Sequence, residues 1–290
     1  MQPAYLTDQA LNEFIRQALA EDLGEGDHST LGAVSASKIS KANLLVKDNG
    51  ILAGLTVAQK IFHTVDPDLI LTVFKKEGDP VKKGEIAFEV EGKAQSILMA
   101  ERLVLNCMQR MSGIATYTHH LCKLIEGTKT RLKDTRKTTP NFRLMEKWAV
   151  AIGGGKNHRY ALYDMVMLKD NHIDMAGGIQ LAIGRVKNYL KAKNKDLKIE
   201  IETRTLAEVE EVLRVGGVDI IMLDNMSLPD MKKAVAMIDG KYKTEASGGI
   251  TETTLLEVAK CGVDYISVGA LTHSVKSLDL SLKVILIKKK

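Results

Sequence analysis

Apolar side chains recur at helical spacing from Asp8 to Asp22, at Leu11, Phe14, Ile15 and Leu19, and Gly24 follows as a stop. Between 38 and 98 the pattern shortens. Ala42-Asn43-Leu44-Leu45-Val46 and Ile70-Leu71-Thr72-Val73-Phe74 read as strands, broken by Asp48-Asn49-Gly50, Gly78-Asp79-Pro80 and Lys83-Gly84. A long helix is predicted from Ser96 to Ser112, ended by Gly113, and a second from Thr116 to Glu126.

From 130 onward the pattern becomes regular. Strands are predicted at Arg131-Leu132-Lys133, Met165 to Leu168, Ile199 to Ile201, Ile220 to Leu223, Lys243 to Ala246 and Tyr265 to Val268. The last four start roughly 20 to 24 residues apart, with amphipathic helices at Leu206 to Val215, Leu228 to Ile238 and Thr253 to Cys261 between them. This alternation predicts parallel βαβ units, and glycines closing the late strands favour a (β/α) barrel over an open sheet. About six strands fall short of the eight of a complete barrel, so an irregular one is expected.

Bulk properties narrow the class. A chain of 290 residues holds one large domain or two modest ones, and 45% hydrophobic with 27% charged residues describes a soluble globular protein. The net charge of +5 suits anionic small molecules, and no basic block interleaved with aromatics points to nucleic acid. Cys107, Cys122 and Cys261 have no C-x-x-C spacing, which argues against a zinc site or disulfide framework and for a reducing compartment. No apolar run approaches the roughly 18 residues of a membrane span, and no signal peptide is read. A cytoplasmic protein is expected.

Candidate chemistry gathers at the strand ends, where barrels carry their sites. Asp134-Thr135-Arg136-Lys137, Gly153-Gly154-Gly155-Lys156-Asn157-His158-Arg159 and Lys169-Asp170-Asn171-His172 concentrate cations that can neutralise carboxylates and phosphates. Ser247-Gly248-Gly249 and Gly269-Ala270 end the last two strands, so backbone N–H groups and the helix beyond can approach a phosphate. Glu202 and Asp224 end consecutive strands and suit ribose hydroxyls or Mg²⁺; Glu200 shares the face of Glu202 and competes for that role. Gly153-Gly154-Gly155-Lys156 lacks P-loop spacing. The Glu77 to Glu85 stretch reads as a structural hairpin and not a lipoyl carrier, and His119-His120 as helix surface. A Schiff base on Lys169 and a non-catalytic anion-binding protein remain competing readings. Arg102, on a mostly apolar helix, is a salt-bridge residue by default.

These segments resemble the quinolinate phosphoribosyltransferases, from Glu21-Asp22-Leu23-Gly24-Glu25-Gly26-Asp27 to Leu271-Thr272-His273-Ser274. The most specific stretches are Asp134 to Thr138, Gly153 to Gly155 with Asn157-His158-Arg159, Lys169 to His172, and Glu245 to Ile250. The resemblance implies an α/β protein: an irregular (β/α) barrel over 115–271 and an N-terminal α/β sandwich domain over 1–114, joined by the returning segment 272–290. It implies transfer of phosphoribosyl from 5-phosphoribosyl 1-pyrophosphate (PRPP) to quinolinate with decarboxylation, Mg²⁺ as cofactor, and a homodimer, or a larger assembly such as a hexamer, with a shared site. Arg136, His158 and Arg159 would bind the quinolinate carboxylates with Arg102 of another subunit, and Lys137 and Lys169 would meet PRPP or a carboxylate. Glu202 and Asp224 would serve ribose and metal; Lys137, Lys169, Glu202 and Asp224 are thus the catalytic candidates. Ser247, Gly248, Gly249, Gly269 and the adjoining Ala270 would hold the 5′-phosphate. An enzyme acting on nicotinate is the nearest alternative, though this many cations suits a dicarboxylate better. Two residues depart from the family pattern, Asn141 and Ala161, each where glycine is usual; asparagine tolerates the left-handed conformation.

Overall fold

The Thr7 hydroxyl accepts the Ala10 N–H at 3.1 Å and caps α1 (Asp8–Leu23), which buries Leu11 and Ile15 as its spacing predicts. The computed structural model describes residues 3–285. The end of the expected return segment, 286–290, lies outside the described residues. After α1 come α2 (His28–Ala33), β1 (Ile39–Val46), β2 (Gly50–Ile51), α3 (Leu55–Val65), β3 (Ile70–Val73), β4 (Pro80–Val81), β5 (Ile86–Lys93) and α4 (Ala94–Leu124). Then follow β6 (Arg131–Lys133), α5 (Arg143–Ile152), β7 (Val166–Leu168), α6 (Asp170–Ala176), α7 (Ile179–Ala192), β8 (Ile199–Thr203) and α8 (Leu206–Val215). The chain continues through β9 (Ile220–Asp224), α9 (Leu228–Ile238), β10 (Lys243–Ser247), α10 (Leu255–Ala259), β11 (Tyr265–Ser267), α11 (Ala270–His273) and β12 (Leu280–Ile285).

These elements form two units. One takes the chain up to His119, Thr138–Gly154 and the chain from Ala270; the other takes His120–Lys137 and Gly155–Gly269. Segment 138–154, with α5, thus groups with the N-terminal elements, a return absent from the expected division at 114/115.

The second unit is the irregular barrel expected from the alternation. Its six strands are all parallel, in the order β6-β11-β10-β9-β8-β7. Among the described residues no ladder joins β6 to β7; Lys133 instead bridges to Lys156. Registers Glu202↔Met222↔Glu245↔Tyr265 and Asp224↔Ser247 place these residues on one face of the sheet, and the period of two adds Glu200, two positions before Glu202. Ile201, Ile221, Leu223 and Ala246 occupy the opposite face and are fully buried.

In the first unit an antiparallel sheet runs β12-β1-β5-β3. Its buried face alternates along β1 at Ala42, Leu44 and Val46, and Phe88 of β5 meets Phe62 of α3 edge-on at 5.9 Å. Arg110 of α4 donates to the buried Glu146 of α5 at 2.8 and 3.1 Å, to Val275 O at 2.9 Å and to Thr272 O. Glu146 also accepts from the Thr139 N–H and hydroxyl, each at 2.9 Å, which fixes the start of the 138–154 segment. Asn141 there has φ 61°, so asparagine occupies a left-handed position as expected.

One sequence expectation fails here. Gly113 does not end a helix: α4 runs unbroken through it. A Cβ at Gly113 would lie 2.3 Å from Lys276 O and 3.0 Å from Ser277 Cα, so the glycine serves the close approach of the returning chain. Gly113→Ala is expected to destabilise the protein by about 1–3 kcal/mol through that backbone clash. Urea unfolding checks it, and an unchanged midpoint would contradict the assignment.

Candidate active site

The inner face of the barrel strands is charged where branched apolar side chains are usual. Lys133 of β6 reaches past Tyr265 of β11, its Nζ 3.8 Å from the ring centroid, and donates to Glu245 Oε2 of β10 at 2.6 Å. Glu245 and Glu200 are fully buried. His158 lies between them, with Nε2 2.8 Å from Glu200 Oε2 and 3.5 Å from Glu245 Oε1, close contacts whose angles fall outside hydrogen-bond geometry. Its Nδ1 accepts the Arg159 N–H at 2.7 Å, which assigns the remaining ring proton to Nε2. Burial pushes Glu200 up to about 7, and burial with the nearby Glu200 also raises Glu245.

A third carboxylate holds the same segment. Asp134 accepts the His158 backbone N–H at 2.9 Å and the Asn157 amide at 2.6 Å. The Arg159 guanidinium is anchored on Met165 O at 3.2 Å and is nearly buried. Burial and then the neighbouring Arg136 press its pKa downward, a like-charge strain that an incoming anion relieves. Asp164 accepts the Tyr160 and Ala161 N–H groups at 2.6 and 2.7 Å, and Ala161 has no left-handed φ that would demand glycine.

Toward the C-terminal ends of the strands lie the mouth residues. Lys169, at the end of β7, pairs with Glu202 Oε1 of β8 at 3.1 Å, and its N–H donates to His172 Nδ1 of α6. Arg136 and Lys137 follow β6; Arg136 is half-buried, Lys137 exposed, and its N–H donates to Thr135 Oγ1. Asp224 accepts from the side chain of Asn225, whose backbone N–H donates to Ser247 O at 2.9 Å and ties β9 to β10 at the mouth. Gly248 has φ 93°, and a Cβ there would meet Asn225 Oδ1 at 2.2 Å, so this turn admits only glycine. Ser247, Gly248 and Gly249 therefore present bare backbone, with Gly269 ending the strand region beyond β11. The helices after these two turns, α10 and α11, are only 5 and 4 residues long, which weakens the expected dipole contribution. Ala270 and the exposed Arg102 belong to the first unit.

Glu202 and Asp224 fit Mg²⁺ by chemistry: hard carboxylate donors, incompletely buried, on adjacent strand ends where a substrate could complete the shell. His158, Glu200 and Glu245 also cluster closely enough to suggest a metal, but the Lys133 ammonium already supplies the positive charge there. Of the expected ligands, the barrel brings together Arg136, Arg159, Lys169, Glu202, Asp224 and Ser247. His158 sits beneath them, its Nδ1 accepting the Arg159 N–H and its Nε2 2.8 Å from Glu200 Oε2. Lys133 and Glu245 escaped sequence reasoning. The signal for Glu245 was the alternation itself: in Ile199-Glu200-Ile201-Glu202 and Thr244-Glu245-Ala246-Ser247 every second residue is polar on the inner face.

Comparison with known proteins gives the same pattern a family. Models described as the quinolinate phosphoribosyl transferase N-terminal and C-terminal domains match residues 27–112 and 114–283. A chloroplastic nicotinate-nucleotide pyrophosphorylase (carboxylating) of Arabidopsis thaliana is 47% identical over 289 residues, 94% of this chain and 82% of its own. A probable nicotinate-nucleotide pyrophosphorylase (carboxylating) of Bacillus subtilis is 40% identical, covering 95% and 94%. The crystal structure of NadC from Streptococcus pyogenes superposes with a TM-score of 0.91 at 40% identity, over 98% of this chain and 99% of that one.

The Glu200 shift carries a pH signature. From its ordinary 4.5 to about 7, the folded chain keeps a proton that the unfolded chain has released. Its contribution is therefore whole below the unfolded value and is lost as pH rises through the folded one. Glu200→Gln is expected to reduce the fall in Tm between pH 5 and 8 by at least about 2 °C relative to the parent. Parallel Tm–pH curves for the two proteins would contradict it.

Proposed function

The chain belongs to the quinolinate phosphoribosyltransferase family, and we infer that its barrel mouth joins quinolinate to PRPP. The products are nicotinate mononucleotide, pyrophosphate and CO₂, a step of NAD biosynthesis. The observation that carries this is the convergence of Arg136, Arg159 and Lys169 with Glu202, Asp224 and the Ser247-Gly248-Gly249 turn at one end of a parallel barrel.

The residues divide by charge. Arg136 and Arg159 grip the carboxylates bidentately, which desolvated guanidinium groups do well. Lys169 turns from Glu202 toward a carboxylate or the sugar donor, and the exposed Lys137 meets the pyrophosphate. Ser247, Gly248, Gly249 and Gly269 hold the 5′-phosphate with backbone N–H groups. Glu202 and Asp224 would hold Mg²⁺ beside the ribose; when bound, that ion neutralises charge gathering on the leaving pyrophosphate.

Catalysis is then orientation and electrostatics. The pyridine nitrogen forms its bond to ribose C1 as the C1–O bond to pyrophosphate breaks, and the carboxylates of the mouth face the positive charge that develops on the sugar. Ribosylation leaves the ring nitrogen positive. The adjacent carboxylate departs as CO₂, its bonding pair stays on C2 beside that nitrogen, and C2 takes a proton. No covalent nucleophile is required.

The site is completed by Arg102 of a second copy of the chain in a homodimer. Arg102 is exposed on α4 and has no ion pair or hydrogen bond among the described residues, which supports a role outside its own unit. Unbridged Cys107, Cys122 and Cys261 fit a reducing, cytoplasmic setting, and no helix among the described residues is long and apolar enough to cross a membrane.

Labelled CO₂ is expected from carboxyl-labelled quinolinate only when PRPP and Mg²⁺ are both present, and nicotinate should release no pyrophosphate. Arg159→Ala should raise KM for quinolinate about 100-fold. Arg102→Ala should fail alone and recover when its subunits are exchanged with those of Arg159→Ala. Pyrophosphate release with nicotinate alone would overturn the substrate, and absence of recovery would overturn the shared site.

A further inference from the structure

The catalytic reading leaves Lys133, Glu200 and Glu245 without a task, although they are buried ionisable groups placed directly beneath the mouth. A buried ion pair is a poor source of stability, since a well-packed apolar layer of the same volume does as well or better. What such a pair gives is fixed direction. Lys133 fixes Glu245 at 2.6 Å, and Glu245 and Glu200 take the Nε2 side of the His158 ring from two strands. The other ring nitrogen accepts the N–H of Arg159, so the orientation of the ring sets the plane of the 158–159 peptide. Asp134 holds the preceding peptide, 157–158, through the His158 N–H.

We infer that Lys133, Glu200 and Glu245 are positioning residues for quinolinate, which hold His158 and through it keep Arg159 aimed at the mouth before substrate arrives. His158 then acts through Arg159, its Nε2 turned toward Glu200 and Glu245. The inference rests on the assignment of Arg159 to a quinolinate carboxylate. Its logic is that of outer-shell support elsewhere: groups that never touch the ligand determine how accurately the ligating group is held.

The test separates positioning from folding. Glu245→Gln and Glu200→Gln, each preserving volume, are assayed in the full-length enzyme for Tm, kcat and both KM values. KM for quinolinate should rise about 10-fold or more, while KM for PRPP stays within about twofold. Lys133→Met/Glu245→Leu replaces the pair with apolar side chains, and it should recover Tm without recovering KM for quinolinate. Recovery of both, or an equal rise in both KM values, would assign the network to stability alone and overturn the inference. An unchanged quinolinate KM in all three variants would overturn it as well. Failure of the underlying assignment looks different: Arg159→Ala itself would then leave KM for quinolinate unchanged.

Discussion

A lysine ammonium buried against a glutamate, Lys133 on Glu245 at 2.6 Å, is the contact on which the barrel's mouth depends. Each partner alone would carry a desolvation penalty of several kcal/mol, so neither can leave the other. The pair spans strands that are not neighbours: β6 and β10 lie on either side of β11, and the ammonium crosses over the Tyr265 ring to close the span. Removing one member leaves a buried charge without its counterpart.

From that pair the constraint climbs toward solvent in two steps set by the β pleat. Glu200 and Glu202 lie two residues apart on β8, and Glu245 and Ser247 two apart on β10, so each strand carries a lower and an upper residue on one face. The lower residues hold His158; the upper ones reach the mouth beside Lys169 and Asp224. The rigid element and the chemical group thus come from the same strand, which places the mouth more accurately than loops alone could. Arg159 shows the result. Its cation is nearly buried and faces Arg136, an arrangement that favours an anion with two carboxylates.

Much of this was legible in the chain. Strand–helix alternation from 199 to 267 gave parallel order and located the strand ends, because each element carries its own period, cap and stop. Asn141 was readable because few residues other than glycine accept its backbone conformation. Gly113 misled, since a helix glycine required by distant chain looks in sequence like a glycine that ends a helix. The α5 segment and its buried Glu146 gave no signal, because its partner Arg110 lies far away along the chain. Lys133 and Glu245 were hidden by a rule: barrel interiors are expected to be branched and apolar, so polar residues were sought at the strand ends and not within the strands.

The barrel interior fixes His158, with its proton on Nε2 and its Nδ1 bound to the Arg159 N–H. Nitrogen-15 NMR of histidine-labelled protein, with the His158 signals identified by subtraction of the His158→Asn spectrum, reads that state directly. The expected signature is a ring with a protonated Nε2 and a bare, hydrogen-bonded Nδ1. A ring protonated on Nδ1, or one averaging freely between tautomers as an exposed histidine does, would contradict it.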